Sequence, residues 1–453
     1  MSRACGRMIP GELRHCRSEF EVVVLRSLLK PFSHSFSVPL FATFLVWSSV
    51  SGGQPAEQSA GIGGGNYSDL DAPEHRYWER ELHDPFTAFL KKLESGKVHL
   101  DYTSELAYVK SLLHELGISI HTQMLVFSTT SLQLQFISPR NPRAIFFNDS
   151  IYLGYIPGGR IEVVSLDPEL GGIFYIFDIP KSNRPPVVER SDKCMNCHAK
   201  PSVGKVPGIV IKSVLPSQGG GSIDSFRRNE IGHQIPLFER FGGWHVTGDQ
   251  GINKHWGNQI GRLFKGKIST VDNDLGERFD IDRYPAKSSD ILAHLLAEHQ
   301  AGFVNRVIES SYRARSYSKE GRNGLSPEHR DELKERAGRL VRYLLFADEA
   351  KLPVGGIEGD AALKDDFLSV ALTDDKGRSL RDFDLRSHIF KYRCSYLIYS
   401  PVFMGMPEWF RREVYRQLKV ALQPASHGFG HLSVSEKQAI SQILFATVSD
   451  PVF

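Results

Sequence analysis

The residues whose spacing carries the clearest chemistry are Cys194-Met195-Asn196-Cys197-His198, a C-x-x-C-H pattern of the kind that attaches haem covalently. Two thiols three positions apart can each form a thioether to one porphyrin. The histidine that follows can place an imidazole nitrogen on the iron. Covalent attachment prevents loss of the group, and the axial ligands then set whether the iron carries electrons or binds a small molecule. The plain alternative is a pair of partly buried cysteines beside a surface turn. The expected cofactor is one covalent haem c on Cys194, Cys197 and His198, with His198 as proximal iron ligand.

A haem that only transfers electrons wants a second strong ligand. Residues 216–285 are poor in periodicity and rich in Gly, His and Trp, and they contain His233, His245 and His255. A long irregular segment inside a compact protein is more often functional than decorative, so this one is expected to wrap the haem. His233 is the first choice of distal ligand and His255 the second. The other reading leaves the sixth position open or held by water, with Arg240 available to steady an anionic ligand. Trp244 and Trp256 suit the edge of a porphyrin, or simply fill a segment short of Leu and Ile. Gly242-Gly243 would permit close backbone approach to a flat group.

Other patterns carry less. His294 and His299 are five positions apart, whereas the helical zinc signature needs four. Gln218-Gly219-Gly220-Gly221 lacks the Lys-Ser/Thr of a phosphate loop and reads as a hairpin tip. Met404 and Met406 read as core filling at a helix start. Cys394, in an aromatic and aliphatic run, is expected to be a buried inert thiol.

The start of the chain bears on compartment. Residues 36–50, FSVPLFATFLVWSSV, hold no charge and follow Arg26, Lys30 and His34. Small residues come next, which completes the shape of an export signal. The run is short for a membrane span; an uncleaved N-terminal anchor is the alternative. Either way the bulk of the chain is expected to be periplasmic or otherwise exported. Removing the six basic and three acidic residues of 1–56 from totals of 55 and 52 leaves 49 of each. That balance gives no reason to expect a nucleic-acid partner.

The elements that must position the motif read as α+β. Residues 1–56 are the export region and 57–83 a linker. Residues 84–285 are expected to form an α/β haem-binding domain, and 286–453 a mainly helical domain packed on it. Helical patterns cover about 85–93 and 104–116, with Gly117 as the stop. From 123 to 179, short aromatic and β-branched runs alternate with turn residues, which predicts an antiparallel meander leading into the motif. Pro201, Pro207 and Gly208 break any helix after it, and 208–215 reads as another strand. This is not the pattern of a standard small all-helical cytochrome c. The remainder is helical over about 290–312, 327–346, 407–422 and 433–445, with Ser433 and Glu436 forming a capping box.

With these residues laid out, the chain resembles a family of large exported bacterial proteins carrying one haem-attachment motif, known only as uncharacterised cytochrome-like proteins. The likeness covers most of 120–445. Its markers are Ile137-Ser138-Pro139-Arg140, Phe147-Asn148-Asp149, the motif followed by Val206-Pro207-Gly208, and Gly242-Gly243-Trp244 leading to His255. Glu298-His299-Gln300 and Asp382-Phe383-Asp384-Leu385-Arg386 complete them. The family usually has Tyr at position 245 and often Met at 256; His245 and Trp256 depart from it, which weakens both places as ligands. The resemblance implies a haem-bearing exported protein and supplies no reaction. In outline the sheet is also similar to sensor-like domains that carry covalent haem, an analogy of fold alone.

The expected function is electron transfer with a redox partner protein. The alternatives are a haem-dependent redox enzyme on a small-molecule substrate, which the length favours, and a redox or gas sensor. The sequence leaves open whether the chain is an enzyme. Loose membrane association is a further expectation.

Overall fold

The computed structural model describes residues 69–225, 231–252, 254–320 and 324–453. The expected export region, 1–56, lies outside the described residues, as do 57–68 of the expected linker. The fold class is α+β, as the sequence pattern predicts: an antiparallel sheet first, then helices.

Two short helices lead in. Helix α1 (Pro85–Glu94) starts at Asp84, whose carboxylate accepts from the Phe86 and Thr87 amides, with Pro85 in the first turn. Helix α2 (Glu105–Glu115) is capped by Ser104, which accepts from the Ala107 amide at 3.1 Å. Both caps satisfy N–H groups that have no partner inside the helix.

The sheet is a six-stranded antiparallel meander whose spatial order follows the chain. Its strands are β1 (Met124–Val126), β2 (Arg143–Phe147), β3 (Ile151–Tyr155), β4 (Ile161–Asp167), β5 (Gly171–Phe177) and β6 (Glu189–Arg190). Every residue of β3 and β5 is buried, so both faces are covered. On one face Leu153, Val163, Ile173 and Tyr175 pack with Phe86, Phe89, Val109 and Leu112 of the first two helices. On the other, Met124, Val126, Phe147, Tyr152 and Leu166 join the core of the helical half.

The motif follows the edge strand as a one-turn helix, α3 (Met195–His198). Two hairpin strands come next, β7 (Val214–Pro216) and β8 (Ser222–Ser225), with the Gly-rich stretch at their turn. A second hairpin, β9 (Gln259–Phe264) with β10 (Lys267–Asp272), is not anticipated by the sequence reading. Its signal was Lys265-Gly266, the two-residue turn with positive φ at both positions.

The second half is built on α4 (Ile291–Glu320), about 45 Å long at 1.5 Å per residue. It outruns the apolar pattern that ends near Tyr312. The extension is held by charge and stacking: Arg313 pairs with Glu332 at 3.0 Å, and the Tyr317 ring stacks on His329 at 3.6 Å. Helices α5 (Pro327–Leu344), α6 (Ala361–Ser369), α7 (Pro401–Met404), α8 (Glu408–Ala421) and α9 (Val434–Thr447) complete it. Among the described residues no helix is long and apolar enough to cross a membrane.

One expected strand is not regular. Residues 208–213 carry no strand pairing, and the pairing begins only at Val214. The reason lies in where the backbone bonds go. The Ile209 amide donates to Asn305 Oδ1 at 2.7 Å, and Asn305 Nδ2 donates to the Ile209 carbonyl at 2.8 Å. A side chain of α4 thus takes both groups that a neighbouring strand would otherwise take.

Candidate functional site

The chain reaches the motif from β6, where Arg190 pairs with Tyr175 and its guanidinium donates to the Tyr77 carbonyl at 2.7 Å. The Ser191 amide donates to Phe174 O at 2.9 Å, which pins the approach to β5. A single turn follows: the amides of Cys197 and His198 both donate to the Cys194 carbonyl, at 3.1 and 3.0 Å. That turn brings both thiols and the imidazole together at the edge of the sheet. Both cysteines are free; Cys194 is half-buried and Cys197 exposed. Burial pushes the Cys194 thiol up, opposed by a hydrogen bond from Ser191.

His198 is clamped from two sides by one residue. Its carbonyl accepts from the Gly208 amide at 2.9 Å, and its Nδ1 lies 2.8 Å from the Gly208 carbonyl, the only acceptor that this nitrogen meets among the described residues. Nδ1 therefore carries the proton, and Nε2 is left as a lone pair with no hydrogen-bond partner among the described residues. A second-sphere carbonyl on Nδ1 is the arrangement that fixes ring orientation in metal-ligating histidines. The ring also packs against Phe174, centroids 4.6 Å apart. Burial holds the half-buried imidazole down to about 4, against the opposing Gly208 bond. Gly208 is itself required: a Cβ there would lie 2.5 Å from Asn305 Oδ1. Sequence reasoning did not single out Asn305, whose partners are 96 positions away.

A charged cluster borders the turn. Arg143 donates to Glu162 at 2.7 Å, and Ser131 and Gln133 also donate to that carboxylate, at 2.5 and 3.1 Å. Burial raises Glu162, but Arg143 and these hydrogen bonds outweigh it and leave the carboxyl below its ordinary value. The fields of Arg143, Glu162 and Lys212 reach His198, and that of Glu162 reaches Cys194. The loop bearing Ser131 and Gln133 also leaves Leu132, Leu134 and Phe136 exposed, and the loop before β6 leaves Val187 almost fully exposed.

The other expected site residues lie elsewhere. Trp244 is buried, its Nε1 donating to the Lys212 carbonyl at 2.8 Å and its ring edge-on to His294. Gly243 allows close approach to β1's continuation: a Cβ there would lie 2.7 Å from Ser128 Oγ. Arg240 is buried and braces its own loop through Nε to the Ile235 carbonyl and a terminal nitrogen to the His233 carbonyl, at 2.7 and 2.8 Å. His233 sits deep in the helical half, its Nδ1 2.7 Å from His299 Nδ1 and its ring between Tyr343 and Phe346. His299 Nε2 meets Ser395 Oγ at 2.8 Å. His255 has both nitrogens engaged, Nε2 with Asp249 at 2.8 Å and Nδ1 accepting from the Gly257 amide at 3.0 Å. Among the described residues no hydrogen bond, ion pair or ring contact joins His233 or His255 to the motif turn. Nor do three His, Cys, Asp or Glu side chains converge there as they would around a bare metal ion. Cys394 is fully buried, as its setting in the sequence suggested.

No protein-family model, curated protein sequence or solved structure matches the chain.

Proposed function

We propose that this is a covalent haem c protein of the exported compartment, and that it passes electrons to and from a redox partner. The observation that supports the reading best is the state of the motif turn. It presents two free thiols and an imidazole whose Nδ1 is fixed by Gly208, leaving Nε2 unengaged. These residues fit the group. Cys194 and Cys197 would each add S–H across one vinyl group, sulfur to one carbon and hydrogen to the other, with no net oxidation. His198 Nε2 would bind the iron. The bound haem supplies a one-electron redox couple. Leu132, Leu134, Phe136 and Val187 give the apolar surface that a porphyrin or a docking partner would cover. Exposed Cys197 keeps the attachment edge within reach of that partner. The resemblance to exported monohaem cytochrome-like proteins agrees with this reading.

A second reading has its own observation. His233 is engaged with His299, and His255 with Asp249 and Gly257. An iron on His198 would then keep its sixth position for water or a small ligand, as in a sensor or a redox enzyme. The test is the spectrum of protein matured with haem, oxidised and reduced, with and without carbon monoxide. A low-spin six-coordinate spectrum in both states, insensitive to carbon monoxide, supports electron transfer. A high-spin spectrum that responds to carbon monoxide supports the open site. No Soret band and no haem mass on the polypeptide sinks both.

A further inference from the structure

The β9–β10 hairpin is anchored at its base and bare at its tip. At the base Ile260 is buried, and a Cβ on Gly261 would lie within 2.9 Å of Leu215 and Ile223 of the neighbouring hairpin. Beyond that, every residue from 262 to 270 is exposed. A two-stranded ribbon with both faces in water is marginal alone, and polar residues are its ordinary covering. Here the tip carries Leu263 at 62%, Phe264 at 71% and Ile268 at 47% exposure. Leu263 and Ile268 pair directly across the strands, so they share one face; Phe264 and Lys267 share the other. Arg262, Lys265 and Lys267 surround them, with no acidic residue between Ile260 and Val271. None of the three is ion-paired among the described residues, and Lys265 Nζ lies 5.3 Å over the Phe264 ring.

We infer that this tip docks on a bilayer surface containing anionic phospholipid. Three apolar side chains on both faces of a narrow finger suit insertion between headgroups better than a flat protein contact, which would cover one face only. The three cations lie where phosphates would meet them. The free arm, three strand steps from Gly261 to Phe264, reaches about 10 Å, the depth at which interfacial elements settle into the headgroup boundary. The inference does not depend on the haem reading, since no residue of the tip belongs to the motif or its clamp.

The test uses the full chain carrying Phe264→Trp, with the unsubstituted protein as reference so that other tryptophans and any N-terminal contribution cancel. Vesicles of phosphatidylglycerol and phosphatidylcholine carry a nitroxide on the acyl chain. The added tryptophan's emission is expected to be quenched in these vesicles and not in pure phosphatidylcholine. Adding Lys265→Gln and Lys267→Gln is expected to weaken the quenching midpoint about 25-fold, at about fivefold for each cation near the surface. No quenching in anionic vesicles overturns the inference. So does equal quenching in both vesicle types, or a midpoint that ignores the lysine changes. Protection of the tryptophan only by an acidic protein would make the finger a protein-docking arm and would equally overturn it. Unchanged far-ultraviolet circular dichroism shows that these exposed substitutions leave the fold intact.

Discussion

Two histidine settings in this molecule invite comparison: the motif turn at the sheet edge and the His233–His299 pair inside the helical half. In the first, one ring nitrogen is fixed by a backbone carbonyl and the other is left over. In the second, Nδ1 meets Nδ1 at 2.7 Å, Ser395 takes His299 Nε2, and aromatic rings close both sides. A histidine's burial and its availability as a ligand are therefore separate properties. Burial keeps all of these imidazoles neutral, and an unengaged ring nitrogen is not peculiar to His198, since among the described residues the buried His245 meets no hydrogen-bond partner at either nitrogen. What sets His198 apart is that its Nε2 shares one turn with two free thiols. The helical pair is a polar knot in the core, and its stability role follows directly from its geometry.

Removing the thiols has the largest expected effect. Cys194→Ser/Cys197→Ser is expected to abolish covalent haem entirely while leaving the unfolding midpoint of the polypeptide nearly unchanged, since neither thiol is in the core. Intact mass and denaturant unfolding read the two halves of that statement. The reverse pattern is expected at the knot. His299→Ala strips hydrogen bonds from His233 and Ser395 and opens a core cavity, at a cost of about 3 kcal/mol. Haem content and the optical spectrum should stay as in the parent; a lost low-spin signal would instead put the helical pair on the iron.

Between these lies Asn305, which belongs to the helical half but holds the loop that clamps His198. Asn305→Ala leaves the Ile209 amide and carbonyl without their partner, a cost of about 1–3 kcal/mol. It also loosens Gly208, so a shifted haem spectrum should accompany the lost stability, unlike in His299→Ala. An unchanged spectrum would show that the clamp does not orient the ligand.

Acid titration gives the smallest step and treats the buried histidines as a group. His245 and His299 are held down to about 3 and His294 to about 4 by burial, and His233 lies well below the ordinary 6.5 for the same reason. Each binds its proton more readily unfolded than folded. Their contribution is therefore complete above pH 6.5 and is lost as pH falls toward the folded values. Between those limits each removes up to about 1.4 kcal/mol per pH unit. Unfolding free energy measured from pH 7 to 5 should fall, and His299→Ala should flatten the slope by about one histidine's share.

Much of the frame was legible in the chain. The turn residues Asn148 and Gly158 mark the sheet's hairpins because their local geometry is set within a few residues. Ser104, Asp84 and Ser433 mark helix starts for the same reason. Local pattern misleads where distant groups compete. Residues 208–213 look like a strand, but both backbone groups of Ile209 bond Asn305, and the end of α4 looks polar but is held by α5. The β9–β10 hairpin gives little periodic signal because both of its faces are exposed from 262 to 270.

The α+β order, the single C-x-x-C-H motif and the absence of a strong charge bias are written in the chain as composition and near-neighbour geometry. Which ring nitrogens are engaged is a matter of packing, because it depends on which acceptor each ring meets across the fold. Gly208 reaches His198 from ten positions away, whereas His299 reaches His233 from 66 and Ser395 reaches His299 from 96. Such contacts are fixed by the packing of α4 against the sheet and its neighbouring helices, and no local pattern encodes them.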